Sequence, residues 1–355
     1  MHSHPLKLSE VLTFRAGPVA RALIAANGLQ AADVGGVPAA AGGPKGLALH
    51  RLDCLLFGDW LRSPATGGAR RVYAGASIGA WRLAAAAQRD PVAALARLAE
   101  AYCSQRYPEE PPPGLVSAEC RRIVTQLLGL EPAWCDDVHL CVVTSRGRGL
   151  LRERCSSARF AAAALANFGA RRRLARHLER VVFSRGGAPR EAFDEFGWVD
   201  VRMDDANTAD ALLASGTLPL VADPVRDIAG SPRGPYWDGG LIDYHLFWPW
   251  HEVQGLVLYP HFTDRIIPGW LDKLLPWRRG RGEWLGNVLL VAPTRAFLAT
   301  LPNGKLPDRS DFHRYGQDHD ARIADWKRAI GECGRLADAF LDFCSRPEPA
   351  RLLPI

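Results

Sequence analysis

The run Arg71-Val72-Tyr73-Ala74-Gly75-Ala76-Ser77-Ile78-Gly79-Ala80 constrains the fold more than any other stretch. It is a short apolar segment that stops at a Gly-x-Ser-x-Gly pentapeptide, and Trp81 to Ala87 continues it with helical character. A strand that ends in a tight turn and opens a helix is the setting of a nucleophile elbow, because small residues on either side of the serine let the backbone bend and leave its hydroxyl accessible. Ser77 is therefore the candidate nucleophile, with Gly75 and Gly79 as the flanking small residues. The pentapeptide itself is weak evidence. With 34 glycines and fourteen serines in 355 residues, chance supplies it about 0.1 times per chain, so the flanking strand and helix carry the argument.

The chain is 48% hydrophobic, enough for a large core, and one domain over 1–355 is expected. Its net charge of +6 rests almost entirely on arginines spread along the sequence, so no nucleic-acid partner is expected. Eight cysteines, Cys54, Cys103, Cys120, Cys135, Cys141, Cys155, Cys333 and Cys344, form no Cys-x-x-Cys pair and no regular spacing. Buried thiols are expected, rather than a disulfide framework or a metal site. The first seven residues lack the pattern of a secretory signal and no apolar run is long enough to span a bilayer, so a reducing, cytoplasmic setting is expected.

In chain order, Ala20 to Ala26 reads as helix and Val34 to Ala40 as a short strand. Ala41-Gly42-Gly43-Pro44-Lys45-Gly46 follows, then an apolar-rich helix from Leu47 to Phe57. The glycine loop thus stands at a helix N-terminus with unpaired N–H groups, able to hold an oxyanion or a phosphate; the plain alternative is a turn that packs strand on helix. Residues 91–130 read as two helices around the Pro-rich break at 108–114, inserted over the sheet. Val138 to Thr144 and Arg180 to Ser184 read as buried strands with helix between Phe160 and Leu178. Strands alternating with helices argue for α/β. Arg171, Arg172, Arg173, Arg176 and Arg180 read as a solvated face.

Four motifs in order, Gly42-Gly43-Pro44-Lys45-Gly46, Gly75-Ala76-Ser77-Ile78-Gly79, Ala214 to Pro219, and Asp238-Gly239-Gly240, resemble the patatin-like phospholipases. The resemblance covers residues 34 to about 245, leaving 246–355 as a C-terminal extension. It implies a three-layer α/β/α sandwich with a mostly parallel central sheet, and a Ser–Asp dyad that needs neither metal nor organic cofactor. Ser77 would attack an ester carbonyl, with Asp238 as base and the N–H groups of Gly42, Gly43 and Ile78 facing the oxyanion. Lys45, Gly46, Gly239 and Gly240 flank these motifs. Two departures stand out: Ala40-Ala41 where the family usually has Asp-Gly, and Tyr244-His245-Leu246 where Asn-x-Pro is common.

Two rival readings remain open. An ordinary α/β-hydrolase triad would pair Ser77 with an acid such as Asp223 or Asp243 and a late histidine such as His313 or His319. A non-catalytic lipid- or acyl-binding protein on the same fold would need no oxyanion hole. Residues 266–285 place Trp270, Trp277 and Trp284 at seven-residue intervals beside Arg278 and Arg279. That composition suits peripheral contact with a membrane, and it suits equally a packing segment or lid. Lys45 fits either an anion contact or an ion pair that braces the loop.

Overall fold

A computed structural model of the protein describes residues 6–153, 156–187 and 192–355. Cys155 lies outside the described residues, as do the first five residues. Eleven strands form one sheet: β1 (Leu12–Ala16), β2 (Val34–Ala39), β3 (Arg71–Ala76), β4 (Val138–Gly147), β5 (Leu178–Arg185), β6 (Val199–Arg202), β7 (Val225–Arg226), β8 (Pro235–Asp238), β9 (Leu256–Pro260), β10 (Val288–Pro293) and β11 (Leu352–Pro354). The main path runs β11-β1-β10-β9-β2-β3-β4-β5-β6, with β7 and β8 branching from β4. The central stretch from β10 through β4 is parallel throughout. Every residue of β9 and of β10 is buried, as a parallel strand must be when helices cover both of its faces. The architecture is therefore α/β, a mostly parallel sheet between helical layers.

Residues 246–355 are woven into this sheet, since β9 pairs with β2 and β10 with both β9 and β1. The two helices at 91–130, Pro91–Cys103 and Pro113–Leu128, bury Leu95, Leu98, Ile123 and Leu127 in the main core, so they are part of a covering layer. The first starts where sequence chemistry dictates: Asp90 accepts the Ala93 N–H at 3.0 Å and Pro91 stands in the first turn.

Several expected helices are shorter or broken. The segment after the glycine loop opens as a 3-10 turn over Gly43–Leu49, and only His50–Leu55 is α-helical. The helix expected over 160–178 ends at Gly169, before the four-residue turn Arg171–Leu174. The tail divides into His319–Glu332 and Arg335–Ser345. Arg180 departs most from expectation. It is fully buried on β5, where it pairs with Asp243 at 2.6 Å and Asp194 at 2.7 Å, so it belongs to the core ion network and not to a solvated face.

Candidate active site

β4 is the ruler of the site. One edge of it is taken by β5 along Leu140 to Gly147. The other edge is shared: β3 runs parallel to it up to Ala76 opposite Val143, and β8 runs antiparallel down to Asp238 opposite Thr144. The C-terminal ends of β3 and β8 therefore meet head-on along one edge, at adjacent residues of β4. Ser77 is the first residue beyond β3 and Asp238 the last residue of β8, so sheet pairing alone brings them together.

The junction is tightly built. Ser77 has φ 56° and ψ −132°, a conformation a side-chain-bearing residue adopts only where its surroundings enforce it. Gly79 helps to enforce it, because a Cβ there would stand 2.0 Å from the Ala39 carbonyl oxygen. Ser215 bridges the gap between the strands: its hydroxyl donates to the Val143 carbonyl at 2.7 Å and accepts the Ser77 N–H at 2.9 Å. Two residues on, the Thr217 carbonyl accepts the Asp238 N–H at 2.7 Å. The segment Ala214 to Pro219 thus holds both partners by their backbones. Arg82, one turn past the elbow, is buried against Asp53 at 2.6 and 2.7 Å, locking the elbow helix to His50–Leu55.

Asp238 is buried, and its Oδ1 accepts the Gly240 N–H at 2.7 Å. Burial raises its pKa above the usual carboxylate range, while the Ser77 side chain, Arg309, the Gly240 N–H and Lys273 favour the charged form and offset part of that rise. On the glycine loop, the Ala41 N–H is engaged by the Tyr244 carbonyl at 2.8 Å. The loop turns at Gly43, where φ is 56°, and Ile78 opens the elbow helix. The N–H groups of Gly43 and Ile78 stand in first turns, where a helix offers them no partner.

Two cavities meet at Ser77. One, of about 250 Å³, is lined by Gly42, Gly43, Lys45, Asp238, Lys273 and Arg309 among others. The other, of about 510 Å³, is lined chiefly by apolar and aromatic side chains, among them Trp81, Tyr102, Val116, Ile123, Leu218 and Val221. Of the residues singled out from sequence, Ser77, Asp238, Gly42, Gly43, Lys45 and Gly240 share the first cavity, and Ile78 lines the second. Lys45 makes no ion pair among the described residues, and its Nζ stands 5.8 Å from the Phe262 ring centre; the loop-bracing salt bridge is absent. Ser215 lies in the third motif without an assigned task, and Lys273 and Arg309 carry no sequence signal of a role at this cavity, because nothing in a polar turn such as Asp308-Arg309-Ser310 announces which cavity it will reach.

The acids and histidines of the triad reading lie differently. Asp243 is held by Arg180 and by the Trp248 indole at 3.0 Å. Asp223 makes its recorded contact with Ser117 through its backbone. His313 and His319 line the apolar cavity, and no histidine among the described residues hydrogen-bonds Ser77 or Asp238. His245 is fully buried behind the glycine loop, where desolvation lowers its pKa well below the usual range.

The tryptophan segment forms three 3-10 turns, Trp270–Asp272, Pro276–Arg278 and Glu283–Leu285. Arg278 binds Asp272 at 3.1 Å and the Asn167 carbonyl at 2.7 Å, and Arg279 binds the carbonyls of Asp272 and Lys273 at 3.2 Å each. Arg279 therefore staples the segment to itself, and Arg278 also ties it to the helix Ser157–Gly169. Trp284 packs on Phe193 and Phe247, and Trp270 lines the smaller cavity. Trp277, 68% exposed, and Leu274, 88% exposed, face solvent near exposed Phe168. No helix among the described residues is long and apolar enough to cross a membrane.

No curated protein matches the chain. The family model for patatin-like phospholipases matches residues 40–247, a span that contains the glycine loop, the elbow, Ser215 and Asp238. Because that span is more than half of the 355 residues, the chain belongs to the patatin-like phospholipases, a family of lipid acyl hydrolases.

Proposed function

We propose that the protein hydrolyses lipid esters with a Ser77–Asp238 dyad. The observation that carries this reading is the head-on meeting of β3 and β8 on one edge of β4, which leaves a strained serine and a buried carboxylate at the junction of two cavities. Asp238 takes the Ser77 proton as Oγ bonds to the acyl carbon, and the raised pKa makes it a better base than an ordinary aspartate. The oxyanion faces the N–H groups of Gly42, Gly43 and Ile78, each such donor contributing about 3–4 kcal/mol to transition-state stability. Collapse returns the proton from Asp238 to the leaving alcohol, and the same carboxylate then deprotonates the water that releases the acid. Ala40-Ala41 is compatible with this arrangement, because the Ala41 N–H is engaged by Tyr244 and the donors lie further along the loop.

The apolar cavity suits the acyl chain. Leu274 and Trp277, with Leu165 and Phe168 exposed on the neighbouring helix, suit contact with a lipid surface close to Trp270 and Lys273 at the polar cavity. Labelling with a fluorophosphonate tests the chemistry: the wild type should be modified at Ser77 and Ser77→Ala should not. A wild type that stays unlabelled while it retains lipids would identify a binding protein instead.

A further inference from the structure

The smaller cavity carries more positive charge than ester hydrolysis requires. Lys45, Lys273 and Arg309 all line it, and none of the three cationic heads has a hydrogen-bond or carboxylate partner among the described residues. Elsewhere in this chain, arginines that face the interior have partners, either acids, as Arg82 has Asp53 and Arg180 has Asp194 and Asp243, or backbone carbonyls, as Arg71 and Arg322 have. Of the acids on the cavity wall, Asp308 is paired with Lys305 at 2.8 Å. Only Asp238 is left to face the three cations, and it offsets just one of them.

The aromatic faces of the cavity argue in the same direction. A quaternary ammonium headgroup would need an open ring face, but Lys273 Nζ already covers Tyr244 at 4.2 Å and Trp270 at 5.3 Å. A choline would thus meet a cation where it needs a π surface. A phosphomonoester, which carries about −1.5 to −2 charge near neutral pH and three acceptor oxygens, matches the surplus. Lys273 and Arg309 lie outside the span matched by the family model, so their placement is a property of this chain's own C-terminal part.

We propose that Lys45, Lys273 and Arg309 form a subsite for a dianionic phosphoryl group, so that the ester offered to Ser77 belongs to a lipid phosphomonoester rather than to a choline-capped phosphodiester. This rests on the hydrolase reading above. The crowding of the three cations has a visible consequence: burial, Lys45 and Arg309 together push the Lys273 pKa down to about 8, a penalty that a bound anion relieves.

The test uses the full-length protein and three 1-oleoyl esters in neutral detergent micelles at pH 7: monooleoylglycerol, its 3-phosphate and its 3-phosphocholine. The phosphate should be hydrolysed with kcat/KM about tenfold or more above the phosphocholine. Lys273→Met and Arg309→Met should each lower the ratio of phosphate to neutral-ester turnover by about tenfold, and Lys273→Arg should restore it. Equal losses on all three esters, or a wild type that prefers phosphocholine, overturn the subsite. Inorganic phosphate serves as the probe for a free-anion site. If it inhibits neutral-ester hydrolysis while the phosphomonoester lipid is not preferred, the subsite is not for a headgroup. Micelle binding by Ser77→Ala separates the two readings. Affinity that ranks with headgroup charge, beside a wild type that cleaves none of the esters, keeps the subsite and ends the hydrolase. Turnover without that ranking does the reverse.

Discussion

The two walls of the smaller cavity are made in different ways. The wall with Ser77 and Asp238 hangs on the ends of paired strands, and each of its backbone positions is set by ladder bonds, by Ser215 and Thr217, or by a glycine that tolerates no Cβ. The wall with Lys273 and Arg309 comes from short 3-10 turns and loops held by side chains, above all Asp272, which takes Asn167, Arg171 and Arg278 at once. Groups that must hold a fixed geometry sit on rigid elements, whereas groups that choose among substrates sit on connections that can vary without disturbing the sheet. On the reading proposed above, the first wall serves chemistry and the second serves selection.

The largest expected effect falls on the strand-built wall. Ser77→Ala and Asp238→Asn should each lower ester turnover by about ten-thousandfold or more, and the double variant should be little worse than either, since nucleophile and base act as a unit. Steady-state assays on a chromogenic short-chain ester, with circular dichroism to verify folding, check this. A double variant much slower than both singles would separate the two residues into independent roles. Replacing His245, His313 or His319 by alanine offers the opposite break: loss of chemistry with folding retained in any of them would revive the triad.

Next comes the ion network that supports the rear of the sheet. Arg180→Met leaves Asp243 and Asp194 without their cation in the interior, and should destabilise the fold by about 3–5 kcal/mol, read as a lowered midpoint in urea. A loss below about 1 kcal/mol would mean that the network behaves like a surface pair.

The pH profile joins the two walls. Because the Asp238 pKa lies above the usual carboxylate range, kcat/KM should fall as pH drops through that raised value, at a pH higher than an ordinary aspartate would give. Arg309 and Lys273 both favour the charged form of Asp238, so Arg309→Met should shift the acid limb of the profile further upward. An acid limb that stays at the ordinary carboxylate position in both proteins would remove Asp238 as the base.

The smallest effect concerns the rim. Trp277→Ala should weaken binding to phospholipid vesicles by about 1.5 kcal/mol, the contribution of one large apolar side chain buried in lipid. Arg278 and Arg279 are engaged internally, so salt should matter little and neutral vesicles should bind nearly as well as anionic ones. Sedimentation in low and high salt decides it; strongly salt-dependent binding confined to anionic vesicles would return the weight to electrostatics.

How much of this was legible in the sequence differs between the walls for a physical reason. The elbow writes itself into consecutive residues, because a strand end, a bend and a helix start each demand a local residue type, and Gly75 to Gly79 supply them. The Asp238-Gly239-Gly240 turn is legible only beside the other motifs, since an aspartate before two glycines is also an ordinary turn. Ser215 lay in plain view, but its task of bridging Val143 and Ser77 depends on which strands meet. The strands β9 and β10 are not legible, because every residue of each is buried and so short an apolar run without alternation reads equally as a buried helix segment. The triplet Arg171 to Arg173 and Arg180 look alike in sequence, yet Arg180 faces the core of a strand and Arg171 reaches Asp272.

Local chemistry determined the α/β class, the serine at its elbow, the oxyanion loop as a candidate and the order of the four motifs, because each depends on residues within a few positions of one another. Only the tertiary structure decided that β3 and β8 would end against adjacent residues of β4, that Lys273 and Arg309 would face Lys45 across one cavity, and that two conspicuous arginines would be used up as staples. Those outcomes depend on chain segments far apart in sequence, and long-range packing is where like residues are sorted into buried pairs, open sites and bare surface.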